Sequence, residues 1–313
     1  MIRLLRKTSE RTTEGTTRAV VHHDPSDVVI ELLVWVIGIV AMVVVLYPVL
    51  NVVALSMSDF VATISNPSRI IPGGFNLRAY DFLLFGARSD ILFRSLNVTV
   101  TMVGVGTGLS MFVTIMLSYT ISRRSVPGVR ILTRLVVLSG VFSPGFIAVF
   151  LVLRWMNLYN TFWALVIPGL MNMYHIIILK SFFQQVPVSL EDSAVMDGAG
   201  YFRILWQIYV PISKPAIATI LLFTMVTYWN SFLNAVLYTR DARLWTIQLL
   251  LREVVITADS RMVTEGGYRM DEVAFMERVR YAMVILTTVP ILVIYPFIQK
   301  YFAHGIMLGS LKG

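Results

Sequence analysis

Six stretches of this chain are almost unbroken runs of apolar residues: Leu32–Leu55, Ser95–Ser122, Leu135–Leu153, Thr161–Leu179, Pro215–Thr239 and Tyr281–Gln299. Each is long enough to cross a hydrocarbon layer of about 30 Å, which takes roughly 20 helical residues. None contains Asp, Glu, Lys or Arg, and only the fourth carries a histidine, His175. The pattern predicts six membrane-crossing helices, kinked where Pro48, Pro144, Pro168, Pro290 and Pro296 fall inside or beside the apolar runs. The length of the first run, and the 31 residues ahead of it, argue against a signal peptide.

The polar stretches between the runs are of two kinds. Ser56–Arg94 and Arg240–Arg280 are long for plain connections. The second contains the apolar segment LWTIQLLLREVVI, which suits packing at a membrane surface. The stretch from Glu191 to Pro215, EDSAVMDGAGYFRILWQIYVPISKP, is ordered in a different way. Pro187 ends the preceding helix, and Ser189 with Asp192 three residues later has the spacing of a capping box. Glu191 and Asp192 suit the positive end of a helix dipole. Gly198 and Gly200 offer places for the backbone to turn, and Phe202, Leu205, Trp206 and Tyr209 follow at helical spacing. Pro211 and Pro215 then stop this second helix and start the next span. The expectation is a helix-turn-helix lying at the membrane surface.

Composition agrees with the membrane setting: 57% hydrophobic and 14% charged residues, with a mean hydropathy of +0.74. There is no cysteine, so disulfides and thiolate metal sites are excluded. The net charge of +8 comes from basic residues scattered as loop flanks, which speaks for membrane topology and against nucleic-acid binding. In the short loops, Arg123, Arg124, Arg130 and Arg134 stand between the second and third runs, whereas Arg154 alone stands between the third and fourth. That contrast places both termini, and the Glu191–Pro215 insert, on the cytoplasmic side.

No catalytic constellation is evident. His22, His23 and Asp24 form the one cluster with metal-ligand character, but in a polar leader they read as solvated, so no metal site is assigned. Gly104, Gly106 and Gly108 have the spacing of a nucleotide loop but lie inside an uncharged span, where glycines permit close helix packing. The phosphate-binding pattern G-x-x-x-x-G-K-[ST] is absent, so the chain does not bind ATP in that way. Secondary transporters would need carboxylates within the spans or repeated halves, and a channel a selectivity ring; neither is found.

The insert resembles the EAA motif of ATP-binding-cassette importer permeases: Asp192-Ser193-Ala194, Gly198, Ile208 and Val210-Pro211 keep its spacing. The triplet departs from Glu-Ala-Ala by Asp for Glu and Ser for the first Ala. Over residues 32–313, the runs LEDSAVMDGAGYFRILWQIYVPISKPAIATI, YWNSFLNAVLY and YPFIQKYFAHGIMLGSLKG are similar to the carbohydrate-uptake subgroup. Within it, the LplC-like permeases, each one of two unlike permeases in its transporter, are the nearest in kind. The resemblance implies an all-α polytopic protein with the type I importer permease fold. It implies a cytoplasmic leader (1–31), a permease domain (32–302) with a coupling segment (187–212), and a cytoplasmic tail (303–313).

By the same resemblance the chain is a multi-pass protein of a bacterial plasma membrane and a transport subunit rather than an enzyme. It has no cofactor of its own; a partner ATPase dimer binds ATP and Mg. A second homologous permease, an extracellular solute-binding protein meeting the outer segments, and an oligosaccharide substrate complete the system, with smaller sugars as the rival substrates. Glu191, Asp192, Ser193, Ala194, Asp197, Gly198, Ala199, Ile208 and Pro211 would form the ATPase-coupling element. Gly309, Ser310, Leu311, Lys312 and Gly313 resemble a tail that reaches into the ATPase dimer. For the sugar path, polar and aromatic residues are needed together. Tyr228, Trp229, Asn230 and Asn234 qualify, Trp229 lying about 21 Å along the fifth span, with Asn230 and Asn234 four apart on one helix face. Asn172, Tyr174 and His175 are further candidates.

Overall fold

The computed structural model describes residues 25–86, 89–123, 126–142, 144–264 and 270–310. All of their regular structure is helical. The chain divides into two units, residues 1–49 and 50–313.

Helix α1 (Pro25–Ser56) passes through Pro48 without ending. In the first unit, residues 28–49 are exposed all round, although nearly all are apolar. A helix that is hydrophobic on every side and exposed is built for lipid or for another subunit. In the second unit the polar stretch after α1 is folded: short helices α2 (Phe60–Ser65) and α3 (Arg78–Phe85) replace the expected connection. Ser56 Oγ shares a hydrogen bond of 2.8 Å with the Tyr80 hydroxyl, and Asn51 Nδ2 donates to the Pro67 and Arg69 carbonyls.

Helix α4 (Ser89–Ser122) is the axis of this unit. Its buried face carries small hydroxyl residues, Ser95, Thr99, Thr107, Ser110, Thr114 and Ser118. These let neighbouring backbones come close, and Ser118 Oγ donates to the Ile176 carbonyl at 2.9 Å. The apolar run after α4 is broken at Pro144 and Gly145 into α5 (Val129–Val141) and α6 (Gly145–Trp155). The next run is bent by 50° around a 3₁₀ turn holding Pro168, giving α7 (Trp163–Val166) and α8 (Met173–Phe183). The first break falls at Pro144, and the second at Leu170–Asn172, just after Pro168. Chain order then continues through α9 (Val188–Met196), α10 (Tyr201–Ile204), α11 (Val210–Ile212) and α12 (Lys214–Trp229).

The fifth span differs from expectation. The apolar run Pro215–Thr239 predicts one continuous helix, but α12 stops at Trp229, the chain turns through Asn230–Phe232, and α13 (Leu233–Tyr238) resumes. No proline or glycine marks this break. It falls at Asn230-Ser231, residues that favour turns, and beside two tertiary bonds: Trp229 Nε1 donates to the Thr287 carbonyl at 3.2 Å and the Tyr228 hydroxyl to the Val166 carbonyl at 2.9 Å. The second long polar stretch is helical as well, forming α14 (Ile247–Thr264) and the start of α15 (Met270–Ser310). Pro290 and Pro296 lie inside α15, which contains the sixth predicted run. Among the described residues, two helices are long and apolar enough to span a membrane, or up to five spans if each bent pair counts as one.

Several of the connections are tied together by side-chain bonds. Asn160 Oδ1 accepts from the Arg240 and Asp241 amides, joining two connections expected on one side. Thr99 Oγ1 accepts from the buried Ile247 amide, so the near end of α4 is tied to α14 on that side too. On the same side Arg278 is buried, which lowers its pKa from the ordinary value, while the Asp59 carboxylate works in the opposite direction. The opposite end of α4, at Arg123, meets the Glu191–Pro215 insert.

Candidate coupling site

The insert folds as two arms around Gly198. Pro187 is the N-terminal flanking residue of α9, with extended backbone (φ −58°, ψ 129°). The predicted capping box does not form. Ser189 lies inside the helix instead of ahead of it, and its carbonyl accepts from Ser193 Oγ at 2.8 Å. Pro187, two residues before Ser189, sets the start, because its fixed φ suits the position before the first turn and leaves Ser189 too far in to cap.

The C-terminal end of α9 follows a strict pattern. The Gly198 amide donates to the Val195 carbonyl at 3.0 Å and the Ala199 amide to the Ala194 carbonyl at 2.9 Å. Gly198 takes a left-handed backbone with φ +77°. These paired bonds are the Schellman arrangement, in which the glycine closes the helix and the residues flanking the turn meet through apolar contact. Ala194 and Ala199 pack on the same cluster, around Ile204, Leu205 and Tyr209. The spacing from the Asp192-Ser193-Ala194 triplet to Gly198 thus has a direct physical meaning: it fixes the end of α9. Gly200, also expected at the turn, has ordinary extended backbone and precedes α10.

The second arm is not one regular helix. After α10 it widens to a π turn over Leu205–Tyr209 and continues into α11, which contains Pro211. Proline inside a regular helix clashes with the carbonyl four residues back and lacks an amide to donate. A π turn immediately ahead relieves both. Pro211 therefore does not stop the helix as predicted; the chain turns by 85° only between this arm and α12, around Ser213. Leu205 and Tyr209 face inward, whereas Phe202 and Trp206 are exposed, their rings tilted by 59° with centroids 6.1 Å apart.

The two carboxylates at the start of α9 point in opposite ways. Asp192 is exposed, together with Ser193, Asp197 and Met196, the last at 86%. Glu191 is half-buried and turned toward α4, where it accepts from the Tyr209 hydroxyl and pairs with Arg123. The Arg123 side chain is only 9% exposed. Its guanidinium lies 4.5 Å from the Tyr119 ring centroid, 4.8 Å from Tyr201 and 6.0 Å from Tyr209. Tyr119, Phe183 and Tyr209 pack edge to face with centroids 5.1–6.3 Å apart, and the Tyr119 hydroxyl donates to the Tyr201 carbonyl. A buried cation is tolerated only when paired and surrounded by favourable partners, and this cage supplies both. By sequence Arg123 marks only topology; the cage around it emerges in the fold. The signal that existed was tyrosine at 119, 201 and 209 near one cation, which only the fold brings together.

The sugar-path candidates are scattered. Tyr228 and Trp229 are 2% and 5% exposed, with their polar atoms bound to backbone carbonyls inside the core around Met102, Val166 and Met283. Asn230 is exposed at the end of α12 and Asn234 half-buried on α13, so the two do not share a helix face. Asn172 caps α8, its Oδ1 accepting from the Tyr174 and His175 amides at 2.9 and 3.3 Å. Tyr174 is 67% exposed, and His175 stacks on Phe223. Gly309 and Ser310 end α15, and Leu311, Lys312 and Gly313 lie outside the described residues, as do His22, His23 and Asp24. Among the described residues no group of His, Asp and Glu could hold a metal.

Comparison with known proteins gives concordant matches. The model of the family described as "Binding-protein-dependent transport system inner membrane component" matches residues 106–308. A polygalacturonan/rhamnogalacturonan transport system permease protein of Bacillus subtilis, YtcP, is 40% identical over 85% of this chain and 92% of its own length. Protein LplC of the same organism is 37% identical over 85% of this chain and 89% of its own length. A chain in the crystal structure of a bacterial transporter importing the acidic polysaccharide alginate superposes with a TM-score of 0.78. It is 24% identical and is matched over 90% of this chain and 99% of that one, a likeness of fold.

Proposed function

The chain belongs to the family of binding-protein-dependent transport system inner membrane components, and from that premise we propose that it is one permease of an ATP-driven importer carrying oligosaccharides inward. The observation that carries the mechanism is the two-armed insert. Its inner face is packed on α4, α8 and α12 around Phe183 and Leu205, while its outer face leaves Val188, Val195, Met196, Tyr201, Phe202 and Trp206 exposed. Apolar side chains at the tip of a capped helix, on a polar connection, suit a docking surface for a separate ATPase. Asp192, Ser193 and Asp197 lie on that outward side, whereas Glu191 faces the core.

In this reading closure of the ATPase dimer moves α9 and the second arm together, because the Schellman turn and the shared packing make them one stiff body. Termini on the cytoplasmic side, a second unlike permease and an extracellular binding protein on α2, α3 and α14 complete the arrangement. Oligosaccharides are favoured as cargo by the likeness to the polygalacturonan/rhamnogalacturonan permease. As residues of the path, Asn230 and Tyr174, which are exposed, and Asn234, which is half-buried, fit better than the buried Tyr228 and Trp229.

Purification of the tagged protein in mild detergent tests the assembly. An unlike permease and an ATPase should accompany it, and uptake into proteoliposomes should be inhibited by polygalacturonan fragments more strongly than by single sugars. A homo-oligomer without an ATPase in several detergents would overturn the reading. Deleting residues 309–313 should lower uptake several-fold without changing the amount of protein in the membrane. Unchanged uptake would remove the tail from the coupling machinery.

A further inference from the structure

Arg123 lies outside every motif that defines the coupling segment, yet that segment is ion-paired to it beside the core. Its guanidinium is paired with Glu191 on α9 and enclosed by Tyr201 and Tyr209 from the second arm and Tyr119 from α4. Both arms are therefore held to one cation. Tyr119 reinforces this from one turn earlier on α4 by donating to the Tyr201 carbonyl at 3.2 Å. At its other end α4 receives the buried Ile247 amide on Thr99 Oγ1 at 2.8 Å. Thr99 lies within α4 and Arg123 directly follows its last residue, Ser122; the helix between them runs for about 35 Å at the helical rise.

We propose that Arg123 is a positioning residue of transport, the latch through which motion of the docking arms is passed to α4 and along it to α14. The proposal rests on the importer reading above. The cage is suited to this role and not merely to anchoring. A planar guanidinium can stack on a tyrosine ring while directing an N–H group to a carboxylate, which fixes the arms in angle as well as in distance. Hydrophobic packing of Ile204 and Leu205 against Met111 and Ile115 would hold the arms in place without it. What the packing lacks is direction, since apolar contacts are tolerant of sliding. With the latch removed, the arms can still bind an ATPase, but their movement is spent in slippage.

The test uses the complete transporter in proteoliposomes, with wild-type protein first establishing ATP-driven uptake and its accompanying ATPase; failure there would strike the importer reading itself. Arg123→Lys, Arg123→Ala, Glu191→Gln and the exchange Arg123→Glu with Glu191→Arg are then compared. The readout is sugar taken up per ATP hydrolysed, with ATPase content measured in parallel. Arg123→Ala should lower the ratio about tenfold, in the range that coupling between sites commonly carries. Arg123→Lys keeps the charge but not the planar stacking and should recover only part of it. Glu191→Gln keeps the packing and the Tyr209 bond and should fall between, which keeps the test open if Arg123→Ala does not fold. An unchanged ratio in Arg123→Lys and Glu191→Gln would overturn the latch. So would a loss of uptake that only tracks loss of bound ATPase.

Discussion

Gly198→Asp is expected to reach the membrane in normal amount and to abolish ATP-driven uptake. The backbone at Gly198 has φ +77°, and a Cβ placed there meets nothing within 4 Å. A clash inside this chain is therefore not the cause, and two other effects act. A left-handed residue with a side chain costs roughly 1–2 kcal/mol, which strains the Schellman turn that ends α9. The new carboxylate also projects into open space beside Met196 and Asp197, where the ATPase would dock. Gly198→Asn and Gly198→Ala separate the two, because Asn tolerates the left-handed conformation better than Ala but is bulkier and polar. If strain dominates, Asn will transport better than Ala; if the docked surface dominates, Ala will. Hydrolysis and uptake measured on the same vesicles decide between them. Normal uptake by Gly198→Asp would remove α9 from the coupling pathway.

Much of this arrangement is legible in the chain before it folds, and the reasons are local. Pro144 stands at the break between α5 and α6 and Pro168 just ahead of the bend before α8, where a missing amide and a clash with the preceding turn weaken the helix; Pro48, Pro290 and Pro296 stay inside continuous helices. Gly198 closes α9 because the bond pattern of a left-handed turn depends only on nearby residues. The legible part ends where tertiary contacts override local preference. Asn230-Ser231 is only a weak mark of a helix end inside an apolar run; the bonds that accompany it reach Val166 and Thr287, 62 and 58 residues away. Ser189 was well spaced for a capping box, but Pro187 moved the helix start. The Arg123 cage was invisible for the same reason as the Trp229 break, since its tyrosines come from positions 119, 201 and 209. Aromatic residues that looked suited to a sugar proved to hold the wall of the core, because both carry a polar tip that finds a backbone carbonyl when buried.

Tyr228 and Gly106 should prove to be a single unit, and substitution of either should cost folded protein more than any change on the surface. The glycines at 104, 106 and 108 look equivalent in sequence, but a Cβ at Gly104 or Gly108 meets nothing within 4 Å, whereas at Gly106 it would lie 2.7 Å from the Tyr228 ring. The ring cannot swing away. Its hydroxyl is bound to the Val166 carbonyl, and on that side a Cβ at Gly169 would stand 3.0 Å from the same oxygen. Gly106→Ala should cost about 1–3 kcal/mol through overpacking, and Gly106→Leu should leave little folded protein in the membrane. Tyr228→Ala opens a cavity and should cost roughly 3–5 kcal/mol. Combined, Gly106→Leu with Tyr228→Ala should be more stable than the sum of the two predicts, because the leucine fills the space that the ring vacates. Thermal unfolding of the detergent-purified variants measures this, and strictly additive losses would show that the two residues do not share the site. Tyr228→Phe completes the argument. It keeps the ring and loses one buried hydrogen bond, about 1 kcal/mol, so stability should fall slightly while the affinity for sugar stays the same. A changed affinity would instead place the Tyr228 hydroxyl on the substrate path.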